Sequence, residues 1–234
     1  MGDIWNIKEQ YKRQMGNLWS RGTRGVIPGG YRGDPSAKSN VIDYITIPTL
    51  GDAADFGDLT VARAAPGSTA SNTRATVAAG FVGPSGGNTS NVIDSFEMQS
   101  TGNAADFGDA TVARQMPSAF GHSTRGVCCG GRAEPGGNLN TLDHWTIASV
   151  GNAIDFGDLT QARRQMASLS SPTRGVIAGG YVSARVDVID YITINSLGDA
   201  TDFGDLIAAN STASPTGSNV RGVLGEDMLQ AKQM

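Results

Sequence analysis

Short runs of apolar and β-branched residues alternate with glycine-rich polar turns along almost all of this 234-residue chain. The fullest example lies between Thr173 and Ala208, where Val-Ile-Asp-Tyr-Ile-Thr-Ile follows a Gly-Gly step and precedes Asp-Phe-Gly-Asp. Runs of this length, rich in Val, Ile and Thr and bounded by Gly, Asn and Asp, are typical of β-strands. The pattern therefore predicts many short strands joined by tight turns.

The same pattern occurs four times along the chain. One arginine, preceded by Thr or Val, marks the register of each copy and of a partial fifth copy: Arg24, Arg74, Arg125, Arg174 and Arg221. Successive arginines are 50, 51, 49 and 47 residues apart. A period of this length indicates repeated supersecondary units.

Each unit divides into four predicted strands. The first holds small residues, the second is Arg-Gly-Val-x-x-Gly-Gly, the third is β-branched, and the fourth surrounds Asp-Phe-Gly-Asp. The third-strand runs are Val41 to Ile47, Val92 to Met98, Leu142 to Ile147 and Val188 to Ile194. Four short strands in about 50 residues are typical of a propeller blade, so we predict an all-β fold.

The repeated unit resembles a kelch repeat. The shared features are a Gly-Gly pair that ends a strand, a Tyr or apolar residue after it, a Val-x-x-Tyr strand and a later arginine. The usual tryptophan near the fourth strand is absent, and phenylalanine stands in its place at Phe56, Phe107, Phe156 and Phe203. The resemblance implies a kelch-like β-propeller over residues 13–224, between an N-terminal arm (1–12) and a C-terminal tail (225–234).

The blade count leaves a ring unfinished. Four complete units fit between Arg13 and Ala209, and residues 210–224 supply two strands of another. A lone half-blade would expose sheet edges. We favour a five-bladed ring whose last blade is completed by the N-terminal segment, while a neighbouring subunit is a second way to complete it. A four-bladed ring with its ends free to bind a partner is the alternative.

The amino-acid sequence of the repeat is similar to that of kelch-like repeats in structural proteins of tailed bacteriophages, notably those of cyanobacteria. This resemblance implies a non-enzymatic structural or decoration component of a virion, at the head, neck or tail, made in the host cytoplasm. It would bind other virion proteins through the tail and through four apolar residues of the arm: Ile4, Trp5, Ile7 and Tyr11.

The loops after Gly-Gly differ between units, and loops carry function on a fixed scaffold. They suggest an alternative function, a module that binds a host-surface glycan or receptor. The aromatic residues that would serve this role are Tyr31, Phe81 and Tyr181.

Charged residues recur in step with the units. The arginines that mark the register are matched by one aspartate in each third strand: Asp43, Asp94, Asp143 and Asp190. A second series, Arg63, Arg114 and Arg163, follows an alanine. A catalytic group is expected once, whereas buried charges persist mainly when they are paired. We therefore predict an Arg–Asp lattice between blades, and no catalytic or cofactor-binding residue.

Three further patterns resemble sites of known chemistry. Asp-Phe-Gly occurs in protein kinases, but here it recurs four times without the companion kinase motifs. Oxygen ligands at every third residue, as in Asp52, Asp55 and Asp58, suit Ca²⁺, but Asp, Asn and Gly are also the ordinary residues of turns. The two histidines, His122 and His144, lack the spacing of a zinc site, so we predict no metal.

Composition and charge also limit the classes of binding partner and the cellular compartment that we expect. The formal net charge is −4 with no basic cluster, which argues against nucleic acid. No apolar run reaches membrane-spanning length. The two cysteines, Cys128 and Cys129, are neighbours that point to opposite faces of a strand, so we expect free thiols and a reducing compartment. If a neighbouring subunit completes the last blade, the protein is a homo-oligomer.

Overall fold

The computed structural model describes residues 23–32, 37–83, 88–217 and 221–225. Within these residues the chain forms strands and no helix, so the prediction of an all-β fold is confirmed. The strands form five antiparallel sheets that follow one another along the chain, with one small hairpin inserted in the third sheet.

The bounds of the strands follow the repeat. Sheet 1 contains β1 (Arg24–Pro28), β2 (Val41–Thr46) and β3 (Ala54–Asp58). Sheet 2 contains β4 (Gly67–Ala70), β5 (Arg74–Phe81), β6 (Thr89–Glu97) and β7 (Ala105–Arg114). Sheet 3 contains β8 (Ser118–Gly121), β9 (Arg125–Cys129), β12 (Thr141–Thr146) and β13 (Ile154–Asp158), and β10 (Arg132–Ala133) pairs with β11 (Gly137–Asn138) in the inserted hairpin. Sheet 4 contains β14 (Ala167–Ser170), β15 (Arg174–Ala178), β16 (Val186–Thr193) and β17 (Thr201–Asn210), and sheet 5 contains β18 (Pro215–Gly217) and β19 (Gly222–Leu224).

Sheets 2, 3 and 4 each have four strands paired in the order in which they occur, once the inserted hairpin is set aside. Sheet 1 has three described strands, which correspond to the last three strands of sheets 2, 3 and 4, and the segment before Thr23 lies outside the described residues. Sheet 5 is described only as the first two strands of a unit. The arm with Ile4, Trp5, Ile7 and Tyr11, and the tail after Gly225, also lie outside the described residues.

The Asp-Phe-Gly-Asp sequence forms a β-bulge in the fourth strand of each unit. In sheet 1, Ile42 is opposite Gly57 and Asp43 is opposite Asp55, so Phe56 is the extra residue. The same shift occurs between the third and fourth strands of sheets 2, 3 and 4. A bulge bends a strand and redirects a side chain. In the first three sheets the bulged phenylalanine lies in the core shared with the next sheet.

Three apolar cores lie between consecutive sheets. The core between sheets 1 and 2 places Phe56 against Phe96, with ring centroids 5.1 Å apart. The core between sheets 2 and 3 contains Phe107 and Trp145, and the core between sheets 3 and 4 contains Phe156 and Ile192. Burying one such side chain stabilises the fold by about 1.5–3 kcal/mol, so these cores hold the series of sheets together.

The two ends of the series expose apolar side chains within the described part of the chain. Phe203 of sheet 4 is 54% exposed, whereas its equivalents Phe56, Phe107 and Phe156 are at most 3% exposed. In sheet 1, Ile27, Ile45 and Ile47 are 56%, 39% and 64% exposed. The corresponding residues of sheets 2, 3 and 4 are buried in the cores.

Candidate functional site at the sheet junctions

Each bulge is shaped by a hydrogen bond within its own strand. The Gly57 amide donates to Oδ1 of Asp55 at 3.0 Å, and the amides of Gly108, Gly157 and Gly204 donate to Asp106, Asp155 and Asp202 in the same way. These glycines have φ between +132° and +145°. Aspartate and glycine are therefore required here by the backbone, which is an ordinary role for them in turns.

The bulge of one sheet binds the turn that follows the third strand of the next sheet. The Gly102 amide donates to the Phe56 carbonyl at 2.7 Å, and the Ala104 amide donates to the Asp58 carbonyl at 2.8 Å. The Asp58 amide donates to Oδ1 of Asn103 at 3.1 Å. The same three bonds join sheet 2 to sheet 3 and sheet 3 to sheet 4.

The backbones approach closely at this contact. A Cβ on Gly57 would lie 2.4 Å from the Gly102 carbonyl oxygen, and a Cβ on Gly108 would lie 2.5 Å from that of Gly151. Only glycine therefore fits at the bulge of an occupied junction. Gly204, in the fourth sheet, has no neighbour within 4 Å of such a Cβ, because no described residue covers this bulge.

A buried ion pair lies at each of the three described junctions. Arg63 Nη2 is 2.7 Å from Asp94 Oδ2, and the corresponding distances are 2.7 Å for Arg114–Asp143 and 3.1 Å for Arg163–Asp190. All six side chains are fully buried. Each arginine lies where the chain crosses from one sheet to the next, and each aspartate lies on the third strand of the later sheet.

The aspartate also holds the crossing segment through a threonine three residues before the arginine. Asp94 accepts hydrogen bonds from the Thr60 amide at 3.1 Å and from its Oγ1 at 2.6 Å. Thr111 and Thr160 donate to Asp143 and Asp190 in the same way. The carboxylate thus binds two parts of one segment and fixes how successive sheets meet.

The three guanidinium groups differ in how completely they are bonded. Arg63 also donates to the carbonyls of Val61, Ala79 and Val92, and Arg114 makes the equivalent set of bonds. Nε and Nη1 of Arg163 are buried without a hydrogen-bond partner in the described structure. Burial lowers the pKa of Arg63 and of Arg163, and the adjacent aspartate opposes this effect.

The arginines that mark the register have another role at the same junctions. Arg24 Nη1 donates to the Met98 carbonyl at 3.1 Å, Arg74 Nη1 donates to the Ile147 carbonyl at 3.1 Å, and Arg125 donates to the Ile194 carbonyl. In each case the acceptor is the residue just after the third strand of the next sheet. The arginine series that meets the aspartates is therefore the second one.

The remaining lattice residues lie toward the ends of the series. Asp43 of sheet 1 pairs with Arg32 at 3.1 Å, and both side chains are partly exposed. Arg174 of sheet 4 has its guanidinium carbon 4.3 Å from the ring centroid of Tyr191. Arg221 directly precedes β19 and is exposed.

The loop aromatics do not share one environment. Tyr31 is 52% exposed, whereas Phe81 is buried and offers a partner little surface. Lys38 Nζ lies 4.0 Å from the Phe81 ring centroid and 5.9 Å from that of Tyr31. Tyr181 instead contacts Arg164, whose guanidinium carbon is 4.6 Å from its ring centroid.

The histidines and cysteines occupy ordinary positions. His144 is buried edge-on to Phe156, with ring centroids 5.6 Å apart, and burial together with Arg125 lowers its pKa. Cys128 and Cys129 are buried in different cores. Burial raises the pKa of Cys128 to about 11 and also raises that of Cys129. Among the described residues, no three His, Cys, Asp or Glu side chains are grouped so that they could bind a metal ion.

Sequence reasoning missed several junction residues. In the sequence, Gly102, Asn103 and their equivalents have the composition of turns, and Thr60, Thr111 and Thr160 do not stand out from neighbouring polar residues. A signal was present: in three units the buried arginine lies eleven residues before the register arginine, and the threonine lies three residues before the buried one.

No protein-family model matches this chain, and no curated protein matches it closely enough to be counted a relative. Among the described residues, no helix has the length and apolar character that crossing a membrane requires.

Proposed function

We propose that this chain is a kelch-like β-propeller with a composite fifth blade, and that it serves as a non-enzymatic structural or decoration component of a tailed-phage virion. The observation that carries the proposal is the repetition of one contact set at three successive junctions. The backbone bonds of the bulge, the buried Arg–Asp ion pair and the bond from the register arginine to the next sheet recur each time. Repetition of this kind is typical of architecture built from stacked units.

The arrangement of the sheets supports a ring. The first strands β4, β8, β14 and β18 contact one another in sequence. Side-chain bonds link them, since Ser118 Oγ donates to Ser168 Oγ at 2.6 Å and Ser170 Oγ donates to the Gly121 carbonyl at 2.8 Å. In a propeller the first strands surround the central channel. Sheet 5 begins a further blade in the same direction.

The repeated polar groups support a structural role over an enzymatic one. The buried charges at the described junctions pair across sheets and bind backbone groups. The aspartates at the start of each bulge accept hydrogen bonds from their own strand. An enzyme site needs a nucleophile, acid or base beside a substrate cavity, whereas these groups serve packing. The phage setting rests on the resemblance of the repeat.

Mass spectrometry of purified phage particles tests this proposal. We expect the protein at a fixed copy number per particle, retained after a high-salt wash. A variant that lacks the C-terminal tail, residues 226–234, should be depleted from particles, because the tail is proposed to help bind other virion proteins and is not assigned to the ring. Detection only in the unassembled fraction of the lysate would contradict the virion role.

A second candidate function, glycan binding, is favoured by one observation: Tyr31 is half exposed beside the Lys38 ammonium group. An exposed aromatic face next to a cation can contact a sugar ring and its polar groups. A glycan array with purified protein tests this function. Binding should be lost in Tyr31→Ala and kept in Leu50→Ala, a control at another exposed loop residue. An array without any hit would remove this candidate.

A further inference from the structure

Sheet 4 ends in a junction that no described third strand covers. Its bulged Phe203 is 54% exposed, and a Cβ on Gly204 would have no neighbour within 4 Å. At the three occupied junctions, the third strand of the next sheet and the turn after it cover the bulge. The sheet that follows sheet 4 is described with two strands only, β18 and β19. We call the space between residues 203–210 and β19 the open slot.

The chain leaves sheet 4 along the same backbone path as it leaves sheet 3. The Gly180 amide donates to the Asn210 carbonyl at 2.7 Å, and the equivalent Gly131 amide donates to the Arg163 carbonyl at 2.9 Å. Asn210 therefore occupies the position that the buried arginine has at the occupied junctions. The backbone of the junction is kept, while the side chain differs.

The second wall of the open slot, β19, is also placed as in an occupied junction. A Cβ on Gly222 of β19 would clash with Leu169 in the first strand of sheet 4. In the same way, a Cβ on Gly175 of sheet 4 would clash with Phe120 in the first strand of sheet 3. β19 thus corresponds to β15, which pairs with a strand on each side, whereas β19 pairs with β18 alone in the described structure.

The other edge of β19 offers main-chain hydrogen bonds. The Gly225 amide donates to the Ser214 carbonyl, so Gly225 and Val223 direct their backbone groups toward the β18 side. Successive residues of a strand alternate in this respect, so Gly222 and Leu224 direct theirs toward the edge without a described strand. Such an edge is a template for an added strand.

Two side chains that bind the third-strand aspartate elsewhere are replaced in the open slot. At the occupied junctions, a threonine and an arginine three residues later both bind this carboxylate. In sheet 4 the two positions hold Ile207 and Asn210, and Ile207 is fully exposed. An aspartate at this place would be buried beside an apolar side chain and without its cation, which is strongly unfavourable.

The occupied junctions show what else a strand in the slot requires. The residues two and four positions after the aspartate are apolar and buried: Phe96 and Met98, Trp145 and Ile147, and Ile192 and Ile194. A Gly-Asn or Gly-Asp turn begins eight positions after the aspartate: Gly102, Gly151 and Gly198. The amides and the Asn or Asp side chain of this turn bind the preceding bulge.

We propose that the open slot binds a β-strand of a partner protein, which lies antiparallel to β19 and extends sheet 5. This strand has an uncharged residue at the aspartate position, followed by the two apolar residues and the turn. A second copy of this chain does not fit, because each of its third strands carries the aspartate: Asp43, Asp94, Asp143 and Asp190. The inference rests on the proposed propeller and specifies the chemistry of its partner in the virion.

Peptide binding to the purified full-length protein tests the proposal. The probes are a labelled peptide of residues 187–200, which contains a third strand and its turn, and the same peptide with Asp190→Val. In fluorescence anisotropy, the altered peptide should bind at least about tenfold more tightly, because the unaltered one buries a carboxylate without a cation. A protein with Ile207→Thr and Asn210→Arg should prefer the unaltered peptide. Equal affinities of the two peptides for the wild-type protein would overturn the proposal.

Two further variants show whether the peptide occupies this slot. Phe203→Asp should abolish binding of the altered peptide, whereas Leu197→Asp, at another exposed apolar residue, should leave it unchanged. In hydrogen exchange, the Leu224 amide should exchange at least about tenfold more slowly when the peptide pairs with β19. Binding that survives Phe203→Asp, or that leaves Leu224 unprotected, would overturn the proposal.

The same measurements identify other occupants. Peptide binding that appears only after residues 1–12 are deleted would show that the arm of this chain fills the slot, and it would overturn the proposal. Self-association of the wild type in light scattering, abolished by Phe203→Asp, would show that a second copy fills it and would also overturn the proposal. Particle mass spectrometry measures the virion role separately, so failure of peptide binding and absence from particles are distinct results.

Discussion

A buried arginine stabilises a junction because it binds several partners at once. Arg114 binds Asp143 and three backbone carbonyls, and Asp143 also binds Thr111. Removal of one charge leaves its partner buried and unpaired. The resulting loss in the free energy of unfolding is larger than the net stabilisation that the intact ion pair provides. The pair is therefore a device that fixes the geometry of the junction, and its loss affects two sheets.

Arg114→Ala is expected to lower the free energy of unfolding by about 3–5 kcal/mol, because it leaves Asp143 buried without its cation. Arg132→Ala is the matched control. Its salt bridge to Glu134 is partly exposed, so its loss should cost less than about 1 kcal/mol. Urea denaturation of both variants measures the difference. Similar small losses would contradict a structural role for the buried pair.

His144 makes stability depend on pH. Its pKa is lowered by burial and by Arg125, so the folded protein disfavours the charged imidazole. The unfolded chain binds a proton here below about pH 6.5, and the folded protein does so only at lower pH. Stability from this residue is therefore present above about pH 6.5 and is lost as the pH falls toward the folded pKa.

His144→Tyr should flatten this dependence, because Tyr44 and Tyr191 show that the position accepts tyrosine. The measurement is the change in Tm between about pH 7.5 and about pH 5, on either side of the ordinary histidine pKa. Tm should fall more in the wild type than in the variant. Any contribution from His122 is the same in both proteins and drops out of the comparison. An equal loss in both would show that His144 does not contribute.

Sequence periodicity found the charged residues but could not assign their partners. Two arginine series share the same period of about 50 residues, so repetition alone cannot show which series meets Asp94, Asp143 and Asp190. The choice depends on the path between sheets, and this path places Arg63 against Asp94 and directs Arg24 to the Met98 carbonyl. Such long-range geometry is not visible in local sequence.

At the scale of elements, the β-bulge is the feature through which each sheet contacts the next one. It turns Phe56 into the shared core while Gly57 contacts the next turn. The strands and their turns were predictable from alternating β-branched and glycine-rich segments. The bulge was not, because a register shift depends on the partner strand, which the sequence of one strand does not specify.

The glycine of the bulge offers a matched pair of substitutions. Gly108 and Gly204 have similar backbone angles, with φ of +145° and +132°, so alanine strains the backbone to a similar degree at both. Only at Gly108 would the new Cβ collide, since it would lie 2.5 Å from the Gly151 carbonyl oxygen. Gly204→Ala meets no neighbour within 4 Å.

We therefore expect Gly108→Ala to lower the free energy of unfolding by at least about 2 kcal/mol more than Gly204→Ala does, because the added methyl group forces packed groups apart. Chemical denaturation of the two variants measures this difference. If both cost the same, backbone strain alone would explain the glycine, and the close contact between sheets would not be its cause.

At the scale of the whole molecule, four similar sheets share three cores, and the outer faces of the series remain apolar in the described structure. The repeat predicted an all-β fold because its period and strand pattern are local. Closure of a ring is a relation between distant ends, and the residues that would form it vary most from the repeat. This is why the sequence left the arm and a second subunit both open.

The four equivalent phenylalanines make the state of the open end measurable. Phe107 is 1% exposed, and Phe107→Ala is expected to cost about 3–5 kcal/mol, as for a large core side chain replaced by a small one.

Phe203 is 54% exposed, so Phe203→Ala should cost less than half as much if this face is open in solution. Equal costs at low protein concentration would mean that the tail or the arm covers Phe203 within one chain. Equal costs that appear only at high concentration would mean that a second copy covers it, since association stabilises by mass action. The ratio of the two losses in the free energy of unfolding, measured at several protein concentrations, therefore shows whether Phe203 is open, covered within the chain or covered by a second copy.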